Sequence, residues 1–427
     1  MISPPAVTVS MDRHNGRIFL LSYLLIYLAA PVTYIGVVQV VLCDKLGASA
    51  TVANLPFAAY QFGQIAPLFY AWLVPHRMER NAVVWSAATT SALIALVTLA
   101  ILLPISNTLR VAAVVIQGLI QGLLAAGLQV FMFQCLNRGT SLEGRARALK
   151  MTFTFGPIFA VLGSLGAQLL LDPHTSPLSY PYEFAAIYGL SAPCMAGVAW
   201  LSSRYRLLVV DDEPRRPLFR YLGESMREYG ALRSLLLLWA IYLLWNCTLG
   251  ATANMSLFTR EAVGRDPKEL SGLIMAIRFG CKSVGGYILG FLAIRYGLRA
   301  SVITTLGLFA AGMVWAWAAP GYAYLAAFGL LGAGELGGAY IPNLGMALSP
   351  VAAGPRTLSI LTLATPASSF SPPLHGWLTD RFGFPASFFF GLATALAALW
   401  IIFKIPAVKP APPVEESKID RPAAAQS

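Results

Sequence analysis

Two basic residues and one acid stand inside stretches of this chain that are otherwise apolar. Arg278 and Lys282 fall within the run 270–294, four residues apart and therefore on one face of a helix. Lys282 is at the middle of the run and Arg278 about one turn (~5 Å) nearer its start. Glu335 lies midway along the run 321–348, among Gly332, Gly334, Gly337 and Gly338, small residues that let another backbone or a ligand come close. In a bilayer, a charge at such a position costs at least ~2.5–3.5 kcal/mol, which makes each of the three a functional candidate. Two positive groups against one negative leave a surplus near +1, suited to an anionic solute, and a carboxyl can take up and release a proton. In the competing reading Glu335 pairs permanently with Arg278 or Lys282 and ties two helices together. Buried pairs are poor stabilisers compared with apolar packing, so the binding reading is preferred.

Uncharged polar residues at similar depth extend the candidate site: Tyr27, Thr33 and Tyr34 around Pro31, Gln117, Gln121, Asn246 and Asn343. Amides and phenols can bind hydroxyls, carboxylates or peptide groups without a full charge; hydrogen bonding between helices is their alternative role. Trp239, Trp245, Trp315 and Trp317 read as packing or interfacial residues, and His375 as structural. There is no Gly-x-x-x-x-Gly-Lys-Ser/Thr loop, no His-Glu-x-x-His and no nucleophile elbow. The five cysteines, Cys43, Cys135, Cys194, Cys247 and Cys281, are far apart and lack metal or redox spacing. No catalytic residue, metal or cofactor is expected, and an ion or solute gradient is left as the source of energy.

The elements that must position these residues are membrane spans. Of 427 residues 57% are hydrophobic and only 11% charged, against about 25% charged in a soluble domain, and the mean hydropathy is +0.66. Apolar runs fall at 18–42, 50–74, 82–103, 111–136, 151–171 and 184–203, and again at 234–259, 270–294, 300–318, 321–348, 357–378 and 384–403; they are numbered spans 1 to 12. The expected fold is all-α and polytopic, with about 12 transmembrane helices in two pseudo-symmetric six-helix bundles. Its divisions are a cytoplasmic N-terminal segment 1–17, bundles at 18–203 and 234–404, a cytoplasmic central loop 204–233 with an interfacial helix at 218–229, and a disordered cytoplasmic tail 405–427. Span 1 is too long for a signal peptide and reads as retained. With the N-terminus inside, 22 Lys and Arg fall on cytoplasmic segments and 6 on outer loops, which puts both termini in the cytoplasm. The net charge of +11 is then a topology signal, and no nucleic-acid partner is needed.

Six spans, a charged connection and six more resemble the major facilitator superfamily, whose halves are repeats around a midplane site. Its members carry Gly-x-x-x-Asp-Arg-x-Gly-x-Arg between the second and third helices of each half. Gly290-Phe-Leu-Ala-Ile294-Arg295-Tyr-Gly297-Leu-Arg299 keeps both Gly and both Arg. Trp72-Leu-Val-Pro-His76-Arg77-Met-Glu79-Arg80 keeps two Arg and nothing else, with Arg80 one residue before the pattern's second Arg position. Neither string keeps the Asp, which in the family helps lock one conformation through charge contacts with neighbouring helix ends. Glu143-Gly-Arg-Ala-Arg147 with Gly156-Pro157, Gly163 and Gly166 resembles the family's fifth helix, and Pro355-Arg356, Pro372-Pro373 and Gly376-Trp-Leu-Thr-Asp380-Arg381-Phe-Gly383 its counterpart. For Gly163 and Gly166 close helix packing is the preferred role. The resemblance covers nearly all of 18–404 and implies that spans 1, 4, 7 and 10 line the cavity, with Arg77, Arg80, Gly290, Arg295, Gly297, Arg299, Asp380 and Arg381 as conformational-loop candidates.

The reading is a secondary transporter working by alternating access in a bacterial inner membrane. It is expected to act as a monomer, with a small organic anion as substrate and a proton coupled through Glu335. The alternatives are a drug or metabolite exporter with a mainly apolar cavity and, from another class, a non-transporting receptor or assembly factor on the same scaffold.

Overall fold

The computed structural model describes residues 7–66, 69–70, 73–208, 217–349 and 354–406, and among these every regular element is helical. The expected tail beyond 406, the charged run 211–216 and Trp72 lie outside the described residues. Spans 3 to 10 and 12 are nine helical stretches long and apolar enough to cross a bilayer, from His76–Leu102 to Phe384–Ile402. Spans 1, 2 and 11 are each broken into shorter helices among the described residues.

The breaks follow from residues that cannot continue a helix. Span 1 runs as Val9–Leu28, Ala30–Thr33 and Val38–Lys45, interrupted at Pro31, which has no amide to donate, and at Gly36, whose φ of 142° disfavours a side chain. Span 2 contains Ala50–Ala53 and then Leu55–Gly63, with Pro56 in the first turn of the second piece. Span 11 is Gly354–Thr362, Ala364–Ala367 and Ser371–Phe382, punctuated by Pro366 and Pro372. Span 10 stops at Gly334 and restarts at Gly337, leaving Glu335 in the turn.

Two hydrophobic cores form. One, around Phe19, Met132, Phe184 and Tyr188, is built mainly by spans 1–6; the other, around Trp245, Phe309, Phe328 and Phe388, mainly by spans 7–12. The perimeter inverts the pattern of a soluble protein: Trp85, Leu96, Leu190, Tyr287, Ile294 and Trp400 are all exposed, as a lipid-facing surface requires. In the second bundle Gly297 and Gly383 end spans 8 and 11 with the same conformation, φ 85° ψ 163° and φ 81° ψ 169°, a mark of internal repetition. The helix Leu218–Gly230 packs against Gly354–Thr362 and exposes Phe219 and Met226.

Close approach between spans rests on particular glycines. A Cβ at Gly163 would stand 2.1 Å from the Leu28 carbonyl oxygen on span 1, whereas one at Gly166 would meet nothing within 4 Å. The packing role thus belongs to Gly163 and not to Gly166. Gly163→Val should cost about 1–3 kcal/mol or more, because the obstacle is backbone and cannot swing aside, while Gly166→Val should be close to neutral. Thermal unfolding of the two variants in the same detergent measures the difference.

Candidate functional site

Glu335 is the centre of the site, and it is 5% exposed. Arg278 Nε donates to its Oε1, the Tyr34 hydroxyl donates to Oε2 at 2.7 Å, and Lys282 Nζ stands 3.2 Å from the same oxygen. Both carboxylate oxygens are therefore engaged, by groups from spans 1 and 8. The Arg278 and Glu335 side chains are 3% and 2% exposed, and that of Lys282 is 26% exposed, so Lys282 is the least covered of the three charges. The Tyr34 ring supports both cations, with Arg278 Cζ 5.1 Å and Lys282 Nζ 5.3 Å from its centre, and Phe279 meets its edge.

Sequence explains why these groups converge. A Cβ at Gly332 would fall 2.2 Å from the Arg278 carbonyl oxygen, so glycine lets spans 8 and 10 touch beside the ion pair. At the break in span 10 the Trp245 indole N–H donates to the Gly334 carbonyl at 3.2 Å, filling the place of a lost helical donor. Trp245 itself stacks between Tyr242 and Phe309, where a Cβ at Gly337 would collide with it. Across the break in span 1, Gln39 bridges the Gly36 amide and the Val32 carbonyl. Gln117 donates to Gln121, which donates to the Thr33 carbonyl at 2.8 Å.

Two cavities flank Tyr34 and share Tyr60. The first, about 180 Å³, is lined by Tyr34, Gln61, Tyr242, Asn246 and Arg278 among others. The second, about 220 Å³, is lined by Tyr27, Gln121, Gln129, Met132 and Phe279 among others. The sequence-derived candidates Tyr27, Tyr34, Gln121, Asn246 and Arg278 are thus brought to cavity walls. Gln117 is buried as a partner of Gln121. Asn343 is exposed and lines neither of these cavities. Spans 2, 8 and 11 contribute walls that the expected set of spans 1, 4, 7 and 10 omitted. Gln61, Tyr60 and Tyr242 were missed; the signal for the first two is a polar Tyr60-Gln61 pair with Gln64 one turn on, inside an apolar run.

The end of the molecule away from the termini is held shut across the two bundles. Asp44 pairs with Arg260 at 2.6 Å, Lys45 with Asp266, and Glu183 with Lys268 at 2.8 Å. Gln168 accepts from the Leu273 amide at 2.9 Å, and Gly272 lies directly on the backbone of span 5. Asp380, beyond the apolar run of span 11, accepts from the Ala50 and Thr51 amides at 3.1 and 3.0 Å and from the Thr51 hydroxyl. It thereby places a negative charge on the first turn of span 2. This is a contact between a charge and a helix end of the expected kind, at the opposite end from the loops where it was expected. Burial raises the Asp380 pKa, but the hydrogen bonds from Thr51 and Ala50 outweigh it and leave the pKa below the ordinary value. A carboxyl shifted down contributes fully above its ordinary range and loses the contribution only as pH falls through the lowered value, so this cap persists at neutral pH.

At the end bearing the termini, Glu79 is 3% exposed and accepts from Arg138 at 2.7 Å, with His76 at 2.9 Å. It supplies an acid three residues after His76, the string position where the family pattern has Asp. Arg80 reaches the Tyr205 carbonyl, Arg299 the Phe403 carbonyl at 3.1 Å, and Arg295 lies over the Tyr296 ring. Gly290 has nothing closer to its missing Cβ than the Tyr340 hydroxyl at 3.8 Å, and Arg381 is exposed.

A family model described as Major Facilitator Superfamily matches residues 260–426. No curated protein matches the sequence. Among solved structures, the chain is similar to the nucleoside transporter NupG in a D323A mutant (TM-score 0.67, 11% identity, 92% of this chain and 98% of that one). It is also similar to a D-xylose-proton symporter (0.67, 14%, 93% and 99%) and to a bacterial homologue of the iron transporter ferroportin in an inward-facing state (0.63, 16%, 92% and 98%). At these identities the likeness is one of fold.

Asp380→Asn should loosen the shut end. A charge at a helix N-terminus contributes about 0.3–1 kcal/mol, which corresponds to roughly a two- to fivefold rise in opening. The measurement is the rate at which an impermeant maleimide, added at that end, labels Gln64→Cys in a background with the native cysteines replaced by serine. An unchanged rate would mean that the ion pairs alone keep this end closed.

Proposed function

We propose that this chain is a secondary transporter of the major facilitator superfamily that carries a small organic anion and couples its movement to a proton. The observation that carries this reading is the arrangement of two cations and one carboxylate beside a cavity, with Arg278 on the cavity wall. With Glu335 ionised the cluster holds a charge near +1, and a monoanion arriving at Arg278 brings it to neutrality. The anion and Glu335 compete for the same guanidinium. A proton on Glu335 weakens its hold on Arg278 and frees that group for the substrate; loss of the proton restores the Arg278–Glu335 pair and releases the anion. Tyr34, from the other bundle, bonds to the same carboxylate oxygen as Lys282, which lets the protonation state be felt where the bundles meet.

Movement of the bundles 18–203 and 234–404 about this centre, joined by 204–233, would open the shut end by breaking its ion pairs. The excess of Lys and Arg on the segments at the other end, 22 against 6, supports cytoplasmic termini and hence a state closed to the outside; a bacterial inner membrane is the proposed location. The chain is proposed to work as a monomer. One observation favours a second reading: the cavity of about 220 Å³ is walled by Tyr23, Ile26, Leu128, Met195 and Phe279 as well as polar groups, a surface suited to neutral amphiphiles and hence to an exporter.

Thermal stabilisation of purified protein by small carboxylates, phosphates, sugars and cationic drugs separates the two. An anion should raise the melting temperature of the wild type and have no effect on Arg278→Gln. That variant should itself be less stable by up to about 3–5 kcal/mol, since it strips a partner from a buried carboxylate. Stabilisation by neutral or cationic compounds in both proteins would install the exporter. In proteoliposomes, Glu335→Gln should exchange the anion across the membrane yet fail to accumulate it under a pH gradient. Binding without flux in the wild type would instead mark a receptor.

A further inference from the structure

The ion cluster leaves one buried polar group in the same cavity without a role. Gln61, on span 2, is 2% exposed, and neither Nε2 nor Oε1 of its carboxamide meets a partner among the described residues. It lines the cavity of about 180 Å³ together with Arg278. Other buried amides are at least half satisfied: Asn54 Nδ2 donates to the Ala50 carbonyl and Gln117 Nε2 to Gln121. Gln64, one turn on, is committed to the Gly122 carbonyl at 3.2 Å. Unpaired hydroxyls such as those of Ser22 and Thr152 can rotate toward a carbonyl of their own helix, whereas a carboxamide needs both a donor and an acceptor from outside. A doubly unpaired buried amide is costly, and its persistence on a cavity wall points to a partner that arrives with the ligand. The rings of Phe57, Tyr60 and Tyr242 form much of the remaining wall, beside Asn246 and Thr365, and would hold the body of a small molecule between Gln61 and Arg278.

We propose that Gln61 reads a second polar group of the transported anion, so that the substrate is a monocarboxylate carrying a hydroxyl or carboxamide that both donates and accepts hydrogen bonds. This inference rests on the anion reading above. The carboxylate goes to Arg278, where one positive charge is left over, and the hydroxyl or carboxamide goes to Gln61. At ~30 Å³ for each water-sized group, the cavity has room for about six such groups, which sets the size near that of a hydroxy acid or a small half-amide. A site built to hydrogen-bond both ways discriminates strongly against an apolar isostere, because the isostere leaves the buried amide unpaired.

The test uses three isosteric pairs of graded length: lactate and isobutyrate, 4-hydroxybutyrate and pentanoate, and succinamate and 4-methylpentanoate. Their affinities are measured by calorimetry on the purified full chain. In the wild type at least one polar member should bind ten or more times tighter than its isostere. Gln61→Met should bring that ratio near one without weakening the isostere, and Arg278→Gln should abolish binding of both. Gln61→Asn, which withdraws the amide by one methylene, should shift the preference toward the longer pair, and it tests the proposal even if the Met variant misfolds. Equal binding of polar and apolar members in the wild type, or an unchanged ratio in Gln61→Met, overturns the role of Gln61 while leaving the anion reading intact. Failure of every carboxylate to bind the wild type overturns the anion reading and this inference with it.

Discussion

A carboxylate held in the middle of a membrane protein is tolerable only if its charge is answered at once, and the architecture around Glu335 is organised by that requirement. Three groups from two other spans converge on its two oxygens: Arg278 and Lys282 from span 8 and Tyr34 from span 1. Each convergence asks something of the backbone. Tyr34 reaches the carboxylate from a break in span 1, and Glu335 itself sits in a break in span 10. The breaks expose polar backbone inside an apolar bundle, so they need partners of their own, which Gln39, Gln121 and the Trp245 indole provide. Irregular helix at membrane depth is acceptable where protein surrounds it, and here it concentrates around the buried charges.

The shut end is organised on the opposite principle. Its ties are several and, although Glu183, paired with Lys268, is buried, most are partly exposed, with the Arg260 side chain 55% and the Asp44 side chain 18% accessible. Pairs of this kind contribute about 0–1 kcal/mol each. Their sum is a few kcal/mol, which is within what a ligand with different affinities for two states can supply. Strong electrostatics at the pivot and weak electrostatics at the gate are compatible with one molecule having two conformations of similar energy.

Much of this was legible in the residues. Apolar runs disclosed the spans because lipid demands length and hydrophobicity together, and Arg278, Lys282 and Glu335 stood out because charge is conspicuous in such runs. The breaks at Pro31, Pro56 and Pro372, which split three spans into short helices, were not read from the apolar runs, because a proline can bend a membrane helix without ending it. What stayed hidden depended on pairings over long distances. Asp380 gave no sign that it would cap a helix 330 residues away, and Glu79 stood off the position where an acid was sought. Gln61 looked like any amide in an apolar run, and only the absence of neighbours for both ends of its side chain sets it apart. Gly163 and Gly166, three residues apart on one helix, were equivalent on paper; the neighbouring Leu28 carbonyl makes one indispensable and leaves the other free.

The contact between Gly332 and the Arg278 carbonyl joins two properties that would ordinarily vary independently. A side chain at Gly332 would push span 10 away from span 8, and Glu335, three residues further on, would be carried off with it. The guanidinium and the carboxylate would then separate without either being altered. One added methyl group, chemically inert, would act as the deletion of a charge. Residues 332, 278 and 335 therefore form a single heritable unit in which a neutral substitution at the first has electrostatic consequences at the other two, and the ion pair can be lost or regained through a position that never touches a charge.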